Sequence, residues 1–126
     1  MQMILMVAIG GAFGSVLRYL FVKLSEEMWG ADFPYGTLGV NVIGGLLAGA
    51  LYVLLVERYA AAAPEWRGLL MVGVLGGFTT FSAFSVDTLK LLEQSGALMA
   101  SANILSNVAL SLMACGAGLW LARHWA

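Results

Sequence analysis

Polar side chains inside the apolar stretches of this chain are few, and each asks for a reason, because a polar group in hydrocarbon is costly without a partner. They are Arg18, Asn41, Thr79, Thr80, Ser82, Ser85, Asn103, Ser106, Asn107 and Ser111. None is acidic, so the set offers hydroxyl and amide donors and one fixed positive charge. Donors of this kind replace the hydration shell of an anion rather than that of a cation. Asn103, Asn107 and Ser111 are spaced by four, which lines one face of a helix and suits the passage of a small ion along a wall. The plainer reading of that ladder is hydrogen bonding between helices. Asp87 and Lys90, three apart, read as an interfacial ion pair.

The densest cluster is Gly76-Gly77-Phe78-Thr79-Thr80-Phe81-Ser82-Ala83-Phe84-Ser85. Adjacent glycines followed by hydroxyl residues that bond their own main chain invite a break in a helix. At bilayer depth a break is tolerated only where protein or a water-filled cavity satisfies the freed backbone, and broken helices mark ion sites. Unwound carbonyls from Gly76 to Thr79 are candidate ligands for a buried cation, while the helix that follows aims its positive end at anions. Phe81 and Phe84 lie on nearly one face beyond the break. The positive edge of a phenyl ring can hold a small anion weakly, and conduction needs binding that is readily reversed.

These residues sit in a chain of 126 that is 61% hydrophobic and 10% charged, a membrane composition. A span needs about 20 apolar residues. Four such stretches are present, roughly Met3 to Leu24, Gly36 to Val56, Gly68 to Leu92 and Ala97 to Ala122. The first lacks a basic leading region and holds Arg18, so it reads as a retained span rather than a signal peptide. The connections Ser25 to Tyr35 and Glu57 to Arg67 carry loop chemistry, and Glu93 to Gly96 is a turn. Cys115, the single cysteine, reads as a helix-packing residue.

With four spans, Arg58, Arg67 and Arg123 fall on one side and Lys23 and Lys90 on the other. So slight a bias barely selects an orientation, and copies inserted both ways could pair as an antiparallel homodimer. Small residues recur four apart at Gly10 and Gly14, Gly45 and Gly49, Gly73 and Gly77, and Ala114 and Gly118, which predicts close helix packing. Four helices bury little volume, which points to a pathway walled by two copies.

In sequence the chain resembles the small fluoride channels of the Fluc (CrcB) family along its whole length. Gly10-Gly11-Ala12-Phe13-Gly14-Ser15-Val16-Leu17-Arg18-Tyr19 is similar to the family's first helix, and Gly36-Thr37-Leu38-Gly39-Val40-Asn41-Val42-Ile43-Gly44 to its second. The run from Gly76 to Phe84 resembles the broken third helix, and the ladder of the last span the family's polar track. The last span departs from the pattern, with asparagines at 103 and 107 where a tyrosine or serine and a serine are usual.

The resemblance implies an all-α membrane protein of four transmembrane helices, broken in the third, in a bacterial cytoplasmic membrane. It further implies a dual-topology antiparallel homodimer with two fluoride pathways and a structural sodium ion at the interface. On that basis Phe81 and Phe84 are the pore phenylalanines and Asn41 a fluoride-coordinating amide. Thr80, Ser82, Asn107 and Ser111 supply further pathway donors, Arg18 attracts anions at a vestibule, and Gly76 and Thr79 supply carbonyls to sodium. No nucleic-acid partner is expected.

A small proton-coupled multidrug-type exporter is the alternative, but it needs a membrane-embedded carboxylate, which the first, second and fourth spans lack. A purely structural membrane protein would account for the glycines and not for the paired phenylalanines. Enzymatic chemistry finds no Ser-His-Asp arrangement, and His124 stands alone near the C-terminus.

Overall fold

The computed structural model describes residues 1–62 and 64–125. Ala63, within the loop read from the sequence as Glu57 to Arg67, and Ala126 lie outside the described residues. Helix α1 runs Gln2–Trp29, and α2 runs Tyr35–Tyr52 and continues as π-wound Val53–Arg58. At the end of that segment the Tyr59 amide reaches five residues back, to the Leu54 carbonyl at 3.0 Å. After a short turn at Ala60–Ala62, α3 (64–78) opens at Pro64–Trp66, is π-wound over Arg67–Leu75 and closes with Gly76–Phe78. Helices α4, Phe81–Ser95, and α5, Ala97–Trp125, complete the chain. Among the described residues, four segments are long and apolar enough to cross a membrane: Gln2–Trp29, Tyr35–Arg58, Pro64–Ser95 and Ala97–Trp125. The chain is a multi-pass membrane protein.

Local chemistry sets these limits. Pro34 and Pro64 stand at helix starts, where a missing N–H costs nothing and the fixed φ suits the first turn. Gly30 (φ 81°) and Gly96 (φ 95°) end α1 and α4 in the left-handed region that side chains disfavour, their amides bonding Glu26 and Leu91 carbonyls. Helix α1 therefore runs beyond its apolar part, through Ser25 to Trp29, because nothing breaks it before Gly30. The Ser25 hydroxyl turns back to the Phe21 carbonyl at 2.8 Å, which leaves it buried and partnered.

The helices are joined in two glycine-mediated pairs. Between α1 and α3, a methyl group on Gly10 or Gly14 would overlap the Leu69 or Val74 carbonyl, and one on Gly73 would lie 2.8 Å from the Gly10 Cα. Between α2 and α5, Gly45 faces the Ser111 carbonyl, Gly49 the Cys115 carbonyl and Gly118 the Leu46 carbonyl. Where lipid offers no drive for association, such close backbone approach is what holds helices together. The pairs meet along α2: Gly36 sits on Val22, Gly39 on the Phe21 ring, and Phe21 packs edge-on to Phe78 with centroids 6.3 Å apart. Apolar side chains such as Ile4, Leu20, Leu105 and Leu112 point outward, as lipid contact requires.

At one end, Arg123 grips Glu57 through both carboxylate oxygens, at 2.6 and 3.2 Å, and the Arg58 guanidinium donates to the Arg123 carbonyl. This is the ion pair found among the described residues. The expected pair of Asp87 with Lys90 does not form. Asp87 instead accepts a hydrogen bond from the Thr37 hydroxyl at 2.8 Å, a short side chain already held on α2, whereas pairing would have to order the long, exposed Lys90.

Candidate ion pathway

Between α3 and α4, Thr79 (φ −81°, ψ 157°) and Thr80 (φ −152°, ψ 122°) are extended. The helical ladder stops here, and the freed groups must find partners within the protein. Asn41 pairs two of them. Its Oδ1 accepts from the Thr80 amide at 2.9 Å and its Nδ2 donates to the Thr80 carbonyl at 3.1 Å, so one carboxamide pairs both sides of the Thr80 backbone, much as a neighbouring strand would. The Thr80 hydroxyl caps α4 by accepting from the Ala83 amide at 3.0 Å, and it shares a 3.3 Å hydrogen bond with Ser82. Thr79 turns its hydroxyl back to the Leu75 carbonyl, while its methyl fills the slot that Gly44 leaves open on α2.

The two glycines before this point are not where the backbone opens. Gly76 is helical (φ −60°, ψ −37°), and Gly77 lies so close to α1 that a methyl would sit 2.6 Å from the Gly11 carbonyl. Their role is close packing at Gly77 and open space at Gly76, which has no neighbour within 4 Å of a Cβ position. Diverting the Thr80 amide to Asn41 takes from the Gly76 carbonyl its helical donor four residues on.

Two cavities meet at Thr80. On one side a polar vestibule of about 600 Å³ holds Arg18, Lys23 and Lys90 with Glu26 and Asp87, and reaches Ser15, Thr37 and Thr80. On the other a mostly apolar groove of about 550 Å³ is lined by Asn41, Gly76, Thr79, Thr80, Phe81, Phe84, Asn107 and Ser111. The Phe81 and Phe84 centroids are 5.3 Å apart with rings tilted by 58°. Their surroundings differ: Phe84 is 8% exposed, whereas Phe81 is 78% exposed on the open side of the groove. Ser82 is exposed beside Phe81 and lines neither cavity.

The ladder on α5 divides. Asn107 and Ser111 line the groove; Asn103 is fully buried, lines neither cavity and donates to the Thr88 hydroxyl at 2.9 Å. Asn107 accepts from Asn41 at 2.9 Å and directs its own Nδ2 to the carbonyl and Oδ1 of Asn103, both at 3.0 Å. Ser111 Oγ is the one buried side-chain polar atom without a hydrogen-bond partner among the described residues. Ser111 lines a groove whose other polar side chains have hydrogen-bond partners, while its own hydroxyl is buried and free.

Sequence reasoning passed over Ser15, Thr37 and Thr88. For the two threonines the signal lay in the spacing: Thr37 is one helical turn before Asn41, and Thr88 one turn after Phe84, hence on the same faces.

Residues 5–119 match the sequence model of a family described as CrcB-like protein, Camphor Resistance (CrcB). Over 124 residues the chain is 47% identical to a protein of Caulobacter sp. (strain K31) named fluoride-specific ion channel FluC, covering 98% of this chain and 97% of that one. Proteins with the same name from Rhizobium meliloti and Photobacterium profundum are each 48% identical. The Rhizobium match covers 98% of both chains, and the Photobacterium match 91% of this chain and 90% of its relative. With a family match over most of its length and near-full-length relatives at almost half identity, the chain belongs to the CrcB family.

Proposed function

We propose that the chain forms a passive, fluoride-selective channel in a bacterial cytoplasmic membrane, working as a dual-topology antiparallel homodimer with two pathways. The relatives named as fluoride-specific channels support the substrate. The observation that carries the reading is that a charged vestibule and a groove of phenyl rings, amides and a free hydroxyl share one residue, Thr80, at the non-helical point of the third span. In a single copy the groove is open along the side that bears Phe81 and Gly76, and a second copy would supply the missing wall.

On this reading an anion gathers near Arg18, passes Thr80, and is held in turn by an Asn41 N–H, by the Phe81 and Phe84 ring edges, and by Asn107 and Ser111. Asn41 already uses both Nδ2 hydrogens, so the ion is admitted by exchanging one protein hydrogen bond for another, which keeps binding weak enough to reverse. Larger anions fail because helices in backbone contact at glycines cannot move apart. A structural sodium ion fits the donors present: the Gly76 carbonyl has lost its helical partner, Thr79 is extended, and both residues line the open groove. Carbonyl oxygens from Gly76 and Thr79 of two copies would hold it, and its charge would brace the interface.

Phe81→Ile and Phe84→Ile replace a positive ring edge by a methyl surface while keeping most of the apolar bulk. Each is expected to cut fluoride efflux from vesicles by about tenfold or more, equivalent to at least ~1.4 kcal/mol on the barrier, while the protein still elutes as a dimer. Undiminished efflux in both variants would remove the ring edges from the pathway.

A further inference from the structure

Asn103 stands apart from the other polar residues of the spans. It is fully buried, yet it lines neither the vestibule nor the groove, so no anion in either space reaches it. A leucine would fill that space without burying a carboxamide, so packing alone does not account for an asparagine there. What distinguishes it is its place in a chain of hydrogen bonds. The Thr80 amide donates to Asn41 Oδ1, Asn41 Nδ2 to Asn107 Oδ1, Asn107 Nδ2 to Asn103 Oδ1, Asn103 Nδ2 to Thr88 Oγ1, and Thr88 Oγ1 to the Phe84 carbonyl. The five distances lie between 2.7 and 3.0 Å.

Every link points the same way. The first group, a backbone N–H, can only donate, and the last, a carbonyl, can only accept, so the orientation of each amide between them is fixed from both ends. Turning any one of them round would set two donors or two acceptors face to face. Aligned links also polarise one another. The chain begins at the cap of α4 and ends in its first turn, and it passes through α2 and α5 on the way, which makes it a clasp on the turn that carries Thr80, Phe81 and Phe84.

We propose that Asn103 is a positioning residue that, through Asn107 on one side and Thr88 on the other, fixes the direction of the Asn41 amide and the setting of the first turn of α4. The proposal rests on the channel reading for its effect on flux, and on geometry alone for its effect on Thr80. By holding Asn107, Asn103 sets how firmly the Asn107 oxygen competes with an arriving anion for the Asn41 N–H.

The test compares the whole protein with Asn103→Leu, Thr88→Val, the double variant and Thr88→Ser. Three quantities are measured: melting temperature in detergent, hydrogen exchange of the Thr80 amide by NMR, and fluoride efflux from vesicles. Thr88→Val strands the buried Asn103 amide and lowers the melting temperature, whereas Asn103→Leu leaves Thr88 bonded to the Phe84 carbonyl and Asn107 to the Asn103 carbonyl; the double variant removes the stranded amide and recovers the melting temperature. A positioning role predicts that the double variant nonetheless exchanges the Thr80 amide about tenfold faster and conducts about tenfold more slowly, a change of about 1.4 kcal/mol in each case. Thr88→Ser keeps the hydroxyl and keeps both properties.

Recovery of slow Thr80 exchange together with stability in the double variant would overturn the proposal, leaving Asn103 a role in stability only. Should Asn103→Leu fail to fold, Thr88→Val and the double variant decide the matter by the same readouts. Faster Thr80 exchange in the double variant, in a protein whose parent passes no fluoride, would uphold the positioning role and strike the channel reading instead.

Discussion

Asn41→Leu is expected to stop fluoride flux and to weaken the fold at once. The side chain pairs both the amide and the carbonyl of Thr80, and it donates to Asn107. Leucine leaves those groups facing an apolar side chain, at about 1–3 kcal/mol for each buried group left unpartnered. A melting temperature well below the parent and a loss of efflux of about a hundredfold, ~2.7 kcal/mol on the barrier, are the expected results. Asn41→Asp separates the two effects. Its carboxylate still accepts from the Thr80 amide, so one of the three bonds survives, while the Thr80 carbonyl and Asn107 Oδ1 lose their donor and a negative charge enters an anion pathway. Folded protein without flux is the expected outcome for this variant. If Asn41→Asp conducts like the parent, the amide is an anchor for Thr80 and coordinates nothing.

The second large effect concerns Gly49. A methyl there would overlap the Cys115 carbonyl and lie 2.9 Å from the Leu119 amide, both rigid backbone of α5. Alanine in place of glycine favours a helix by up to about 1 kcal/mol, whereas overpacking against backbone that cannot yield costs about 1–3 kcal/mol. The clash wins, so Gly49→Ala should lower the melting temperature, and Gly49→Leu should force α2 and α5 apart and give no monodisperse protein on size exclusion. Gly76→Ala is the matching control, because nothing lies near that position within one copy. The single chain should fold as well as the parent. A loss of flux or of dimer in Gly76→Ala would therefore report on the proposed facing copy and carbonyl site; a fully active, dimeric Gly76→Ala would count against both.

Much of this architecture could be read from residue order. Four runs of apolar residues suffice for four spans, since crossing a bilayer demands length and hydropathy and little else. The paired small residues named the contact faces too, but not which face meets which: the pattern four apart is the same on every helix, and only three-dimensional packing joins Gly10 and Gly14 to α3, and Gly49 to Cys115. The run after Gly76 drew attention to the right segment and to the wrong residues. Glycine tolerates a break but does not require one, and here Gly77 is needed for close approach to α1, so the extended backbone falls on the threonines whose partner is Asn41.

Partnership of polar groups was the least legible part. The spacing of Asn103, Asn107 and Ser111 described a face, yet the identity of what lies opposite, Thr88 fifteen residues from Asn103 and Asn41 sixty-six from Asn107, belongs to the tertiary fold. The same holds for Asp87, whose neighbour in sequence is Lys90 and whose partner in space is Thr37. A ladder of donors on paper therefore becomes a chain in which most donors are occupied, with Ser111 left free.

The central claim, a passive pathway selective for fluoride, is tested most directly by efflux from liposomes holding the purified protein, followed with fluoride and chloride electrodes in parallel and with a proton gradient imposed in a matched set. Rapid fluoride loss, no chloride loss above protein-free vesicles, and no dependence on the proton gradient are the expected results. Equal loss of both ions, or fluoride movement only when protons move against it, would contradict the account.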